Sequence, residues 1–302
     1  MSGNTGALAA GRIALPNGRR MPILGFGASS FWAKPAFATD AALAAVRTAV
    51  EEGITYIDTA PSYAAGEAER RVGLLLKEIG QERVIVSTKF GTVADASGRL
   101  TKNFSPKDVA ASLHGSLQRL GVASVDILIL HSPTLTDLSD DLFAELLRLK
   151  EKGLTSAIGL WSHEPSVHVE AIQKPFDLHM LQYNYTDHRT QHVLQALQQQ
   201  VPHRVVINGT ALAQGIFNLQ GFLPRDRRST WYLARLLKNN PLFLWHYLKL
   251  QAEAKQSRST PLEVVMRDWL KHPAIHCGVF GSTRIENIQQ NARAARAILS
   301  SL

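Results

Sequence analysis

One cysteine, Cys277, is the only thiol in the chain. An internal disulfide is therefore excluded, and neither CxxC nor HExxH occurs, so no paired-cysteine redox or zinc motif is available. His272 and His276 are four apart, but Pro273 falls between them, so they do not form a helical metal pair. No metal is expected. A chain without disulfides suits a reducing compartment. No apolar run approaches the roughly 20 residues that a bilayer span needs. The opening stretch, MSGNTGALAAGRIALPNGRR, lacks the apolar core of a secretory signal. The expectation is a cytoplasmic protein without membrane contact.

Clustered basic residues are missing too. The net charge is +8, yet Lys and Arg are scattered and no nucleic-acid-binding motif occurs. Nucleic acid is not an expected partner. A positive field attracts anionic ligands, a nucleotide among them, and it serves solubility equally well. Nothing reads as a linker, so the 302 residues form one expected domain, a length that a closed α/β barrel often uses.

What the chain does have is a repeat of short β-branched runs, polar turns and amphipathic stretches. Eight runs read as strands: ILGFG (23–27), ITYID (54–58), RVIVSTK (83–89), VDILILH (125–131), TSAIGLW (155–161), LHMLQYN (178–184), RVVING (204–209) and IHCGVFG (275–281). Between them lie helices with clear punctuation. DAALAAVRTAVEEG opens on an Asp40 cap and ends in Gly53; SPKDVAASLHGSLQRLG places Pro106 at the first helical position and closes on Gly121; TPLEVVMRDWLKH opens Thr-Pro. Such alternation predicts parallel strands with right-handed crossovers, and eight units close a (β/α)8 TIM barrel. Two segments fall outside the repeat. GRIALPNGRRMPIL (11–24), which begins inside an N-terminal extension and hairpin over 1–20, carries a hairpin signal at Pro16-Asn17-Gly18 that suits a plug for the barrel bottom. Residues 216–257 form a long, helical, aromatic-rich insertion after strand seven.

Side chains at the C-terminal strand ends of such a barrel line its reactive face. Asp58 ends the second strand, Tyr63 follows in its loop, Lys89 ends the third and His131 the fourth. Each alone has a plainer reading: a turn aspartate, a loop histidine, a solvated lysine. Together they solve one chemical problem. Hydride reduction of a carbonyl leaves an alkoxide that needs a proton. A phenol donates it, but its ordinary pKa is near 10. A nearby ammonium favours the phenolate and lowers that value. Asp58 keeps Lys89 charged, and His131 donates to the carbonyl oxygen. An acid–base oxidoreductase is one reading. A Schiff-base lyase is another, since a strand-end lysine in a barrel also serves aldol chemistry.

GITYIDTAPSY, VIVSTKFG, SLQRLGVASVDILILHSP, LQYN and GSTRIENIQQN together resemble the aldo-keto reductases, over about residues 20–300. The resemblance implies an NAD(P)(H)-dependent carbonyl–alcohol oxidoreductase with Asp58, Tyr63, Lys89 and His131 as its catalytic tetrad. It implies a cofactor lying extended across the rim without a Rossmann domain, and GFGASS lacks the third glycine of GxGxxG. By the same resemblance Gly27, Ala28, Asp58, Ser162, His163 and Gly209 bind the cofactor, and Gln182 hydrogen-bonds the nicotinamide amide. Leu212, Gln214 and Gly215 meet the pyrophosphate, Gly281, Ser282, Thr283 and Arg284 the adenosine phosphate, and Gln290 and Asn291 the adenine. Trp32, Tyr63, His131, Trp161, Trp231 and Tyr232 are the expected walls for a small carbonyl or sugar-like substrate. No oligomeric state is implied.

Three departures from the family pattern stand out. The usual Ser-Asn pair after strand five is replaced within GLWSHEP, either by Trp161 and Ser162 or, with a one-residue shift, by Ser162 and His163. The aromatic that usually stacks on the nicotinamide is replaced by Gly209, with Trp161 as a compensating ring. The lysine and arginine that hold a 2′-phosphate align with Gly281 and Asn287, leaving Arg284 for that task. NADP(H) is favoured over NAD(H). A non-catalytic NADP(H)-binding regulatory barrel is the reading these altered contacts keep alive.

Overall fold

A computed structural model describes residues 6–94, 97, 99–217 and 242–301. Among them, ten strands occur: β1 (Leu24–Gly27), β2 (Tyr56–Asp58), β3 (Ile85–Phe90), β4 (Thr92–Ala94), β5 (Leu100–Lys102), β6 (Val125–His131), β7 (Thr155–Ser162), β8 (Leu178–Leu181), β9 (Val205–Asn208) and β10 (Cys277–Phe280). Eight of them pair in parallel and close a barrel in the order β1-β10-β9-β8-β7-β6-β3-β2. β4 and β5 form a separate antiparallel pair.

The helices are α1 (Gly6–Ala9), α2 (Thr39–Glu51), α3 (Glu67–Ile79), α4 (Pro106–Leu120), α5 (Asp140–Glu151), α6 (Pro165–Ala171), α7 (Gln191–Gln200), α8 (Phe243–Gln256), α9 (Pro261–Leu270) and α10 (Ile285–Leu299). Their ends follow local chemistry. Pro106 supplies a fixed φ at the start of α4, and Gly121 closes it in the left-handed region at φ 67°. Thr260 and Glu263 form a reciprocal capping box on α9. α2 corrects the expected Asp40 cap: it starts at Thr39, so Asp40 sits in the first turn, where its charge still faces the positive end of the helix dipole.

Alternation along each strand sorts two cores. Tyr56, Ile85, Ile127, Ile129, Ala157, Leu178, Met180, Val205, Ile207, Cys277 and Val279 fill the barrel interior. The intervening residues, such as Ile57, Val86, Leu128, Leu130, Ile158 and Leu160, pack outward against the helices. Leu15 and Met21 join the interior cluster. They flank the Pro16-Asn17-Gly18 turn, which an antiparallel Ala14–Arg20 bridge closes. Arg19 then pairs with Asp126 near the start of β6 at 2.9 Å. The hairpin therefore plugs the end of the barrel opposite the strand C-termini. Of the insertion, α8 is described, and it buries Phe243 and Leu250 against Val265 of α9. No helix among the described residues is long and apolar enough to cross a membrane.

Candidate active site

Strand parity places the polar residues. Ile127 and Ile129 face the interior, so His131, two further on, faces the mouth. The same step from Tyr56 reaches Asp58, from Ile85 through Ser87 reaches Lys89, and from Ala157 through Gly159 reaches Trp161. On the remaining strands it reaches Gln182, Gly209, Gly281 and Gly27. The rim is thus divided. Gly27, Gly281 and Gly209 end or directly follow the neighbouring strands β1, β10 and β9, so that side of the rim has no side chain of its own, and the Trp161 indole reaches over Gly209. Asp58, Lys89, His131, Trp161 and Gln182 stand on the other five.

Lys89 is buried with Asp58. Its Nζ donates to Asp58 Oδ1 and Oδ2, both at 2.6 Å, and to the Thr59 carbonyl at 2.9 Å. All three ammonium protons have acceptors. Asp58 Oδ1 also accepts from Ser87 Oγ at 2.8 Å, and Ser87 lies 2.8 Å from the Tyr56 hydroxyl. Ser87 and Tyr56 carry no expectation from sequence, although each stands two residues before a tetrad member and so shares its face. Burial alone drives Lys89 toward the neutral amine; the Asp58 charge, with Tyr63, more than offsets this and holds the ammonium above its ordinary value.

Tyr63 is half-buried, with Lys89 Nζ 4.9 Å from its ring centre and the His131 ring 5.8 Å away, edge to face. The tuning of its phenol departs from expectation. Burial pushes its pKa up, and the opposing pull of the Lys89 charge does not cancel that. The reason is that the same burial that brings the ammonium close also removes water from the phenolate. His131 is pushed down to about 2, by burial first and then by the Lys89 and Lys102 charges and His163, so its ring is neutral at working pH. Ser62 Oγ lies 3.4 Å from His131 Nδ1.

Beyond the tetrad, Trp161 pairs in register with His131. Its indole covers Gly209: a Cβ there would lie 2.4 Å from the ring. His163, exposed, packs edge-on against Trp161 and shares a 2.7 Å hydrogen bond with Gln182 Oε1. Gln182 Nε2 donates to Asp187 at 2.6 Å, so the amide orientation is set from both ends. Ser162 corrects an expectation. It is 1% exposed and its Oγ accepts from the Glu164 amide, so His163 is the rim-facing member of that pair. The end of β7 is held from behind by buried histidines. Arg204 can only donate, so His179 Nε2 accepts from it at 3.2 Å. His179 Nδ1 then donates to His168 Nδ1 at 3.3 Å, and His168 Nε2 donates to the Ser162 carbonyl at 3.2 Å.

Trp32 is a second correction. It is 1% exposed, its Nε1 donates to the Ala42 carbonyl of α2, and its ring packs on Phe26. It is a core residue and does not wall the mouth. Trp231 and Tyr232 lie outside the described residues. Ala28 is buried and its amide donates to the Asp58 carbonyl at 2.8 Å. Leu212, Gln214 and Gly215 lie in the turn after β9, with Gly215 at φ 80°. Ser282 Oγ accepts from the Arg284 amide at 3.1 Å, and Arg284, exposed, caps α10. Gln290 is exposed on that helix and Asn291 is buried. Thr283 is half-buried beside them.

A dinucleotide fits this donor set. Gly281 is exposed, and a Cβ there would meet the Gly27 carbonyl at 3.0 Å, so this part of the rim presents backbone and no side chain of its own to a ligand. The α10 N-terminus offers amides and Arg284 to a phosphate. The Aldo/keto reductase family model matches residues 23–301. D-threo-aldose 1-dehydrogenase from a Pseudomonas species is 28% identical over 92% of this chain and 90% of its own. An aldo-keto reductase of Bacillus halodurans in its holo form superposes with a TM-score of 0.74 at 22% identity, over 95% of this chain and 94% of that one. One from Klebsiella pneumoniae, solved with NADP and acetate, gives 0.69 at 18% identity over 94% and 89%. The chain belongs to the aldo/keto reductase family and is an NAD(P)(H)-dependent oxidoreductase acting on small carbonyl compounds.

Proposed function

We propose that the protein interconverts an aldehyde or ketone and its alcohol, with Tyr63 as proton donor and acceptor. The observation that carries this is the buried Lys89–Asp58 pair set under the Tyr63 ring, with His131 edge-on beside it. The nicotinamide, when bound, supplies or accepts the hydride. The chain's own residues do the rest. A Ser62 hydroxyl donating to Nδ1 leaves the His131 proton on Nε2, aimed at the substrate oxygen. His131 orients and polarises the carbonyl, and Tyr63, protonated at neutral pH, gives its proton as charge develops on oxygen. Lys89 stabilises the phenolate that results, and Asp58 keeps Lys89 charged.

Gly27, Ala28, His163, Gln182 and Gly209 would hold the nicotinamide end, with Trp161 as its wall. Leu212, Gln214 and Gly215 would meet the pyrophosphate. Gly281, Ser282, Thr283 and Arg284 would meet the adenosine phosphate, and Gln290 and Asn291 the adenine. Arg284 supports NADP(H) over NAD(H). The name of the Pseudomonas relative supports a sugar-like substrate. The Schiff-base alternative needs a neutral Lys89, and its ammonium is triply bonded and stabilised. A regulatory barrel without turnover has no use for the assembled tetrad. Consumption of NADPH and NADH against a panel of aldehydes, ketones and aldoses tests the proposal. Turnover with any of them supports it; a covalent adduct on Lys89 after borohydride, without hydride transfer, would replace it with the lyase.

A further inference from the structure

His131 is the last residue of β6, where the strand's ladder ends. Ser132 then turns the chain sharply, at φ 58°, a left-handed conformation that a non-glycine residue seldom adopts. The Ser132 amide donates to the Trp161 carbonyl at 2.7 Å. The His131 and Ser132 carbonyls then both turn toward one point outside the barrel.

That point is occupied by the β4–β5 hairpin. Lys102 Nζ donates to the His131 carbonyl and to the Ser132 carbonyl, each at 2.8 Å. Thr92 Oγ1 donates to the His131 carbonyl at 2.8 Å. Thr92 and Lys102 are direct partners across the hairpin ladder, so the two donors come from one rung. The rung itself is pinned. Gly91, at φ 99°, carries the Phe104 ring where its Cβ would stand, and Phe104 packs edge-to-face on Phe90 beside Lys89. The base of the hairpin is thus tied both to β3 and to the end of β6.

We infer that the Thr92–Lys102 rung is a clamp that positions the His131 imidazole for the carbonyl substrate. The inference rests on the role proposed above for His131. The charged and titratable groups around that ring are Tyr63, Lys89, Lys102 and His163. Burial and the Lys89 charge are the larger causes of the neutral imidazole, and the Lys102 charge acts in the same direction. Neither residue touches the reacting atoms; both act through His131.

A kinetic set on the full-length enzyme tests the clamp: Lys102→Met, Lys102→Arg, Thr92→Val and His131→Ala, each with cofactor affinity from nicotinamide fluorescence. Misplacing the imidazole should lower kcat about tenfold or more in Lys102→Met, with cofactor Kd unchanged and KM little altered. Lys102→Arg, which keeps the donors and the charge, should recover most of kcat. Lys102→Met placed on His131→Ala should cost nothing more, because the clamp acts only through that ring. If Lys102→Met does not fold, Thr92→Val, which removes one donor and no charge, should show the same kcat-specific loss. A kcat equal to the parent in a folded Lys102→Met or Thr92→Val, or an undiminished loss on His131→Ala, overturns the inference. A His131→Ala variant with parental kcat would instead overturn the role of His131.

Discussion

The Trp161 indole rests on Gly209, where a Cβ would come within 2.4 Å of the ring. The two positions stand at the rim on strands flanking β8 as a large–small pair, and Gly209 cannot gain a side chain while the indole stays. Gly209→Tyr should therefore overpack the rim, with a loss of roughly 1–3 kcal/mol and of most turnover. Trp161→Ser made with it should open the space for the new ring and return much of both. Urea unfolding and kcat/KM for the two single variants and the double variant give the coupling. Additive losses would show that the rings do not share that space.

Acid should loosen the back of the same strand. His168 is fully buried and its pKa is pushed down to about 4 by burial; His179 is driven well below its ordinary value by burial and by His168. Both are neutral when folded and protonate readily when unfolded. Their contribution is fully present above about pH 6.5 and is lost as pH falls toward 4, by roughly 3 kcal/mol from His168 alone. Urea midpoints between pH 7 and 4.5 should fall in the parent and fall less in His168→Asn. Equal slopes in the two proteins would remove His168 from the account.

In the proposed reading, cofactor choice is assigned to Arg284. Exposed at the start of α10, it is the charged side chain in GSTR, so Arg284→Ala should weaken NADPH more than NADH. A charge-assisted bond to phosphate contributes roughly 1.5–3 kcal/mol, so NADPH affinity should drop about tenfold or more. Fluorescence titration with both cofactors decides, and equal weakening would reassign the 2′-phosphate contact.

Much of this arrangement is readable from residue order because barrel strands alternate strictly. Asp58, Lys89, His131, Trp161, Gln182 and Gly209 each end or just follow an apolar run, and the expected strand ends fall within a few residues of the observed ones. What escapes sequence reading has physical causes. Ser87 and Tyr56 hide inside apolar runs, and their roles appear only when Ser87 is seen linking the Tyr56 hydroxyl to Asp58. Thr92 and Lys102 lie in three-residue strands too short and polar for periodicity to register, although Asp-Ala-Ser-Gly between them is a turn signal. The aromatic character of Trp32 marks it for a pocket, yet burial beneath α2 makes it core. The sign of the Tyr63 shift depends on how much water is lost along with the ammonium's approach, which residue identity does not encode.

Tyr63→Phe tests the central claim most directly. The variant keeps the ring that packs beside Lys89 and His131 and removes only the hydroxyl. General acid catalysis by a positioned group contributes roughly 10²–10⁴ in rate, so kcat for carbonyl reduction should fall at least a hundredfold. Cofactor Kd, read by nicotinamide fluorescence, should stay close to that of the parent, since the phenol acts in the transition state and does not grip the dinucleotide. A Tyr63→Phe enzyme that retains more than about a tenth of the parental kcat would contradict the account.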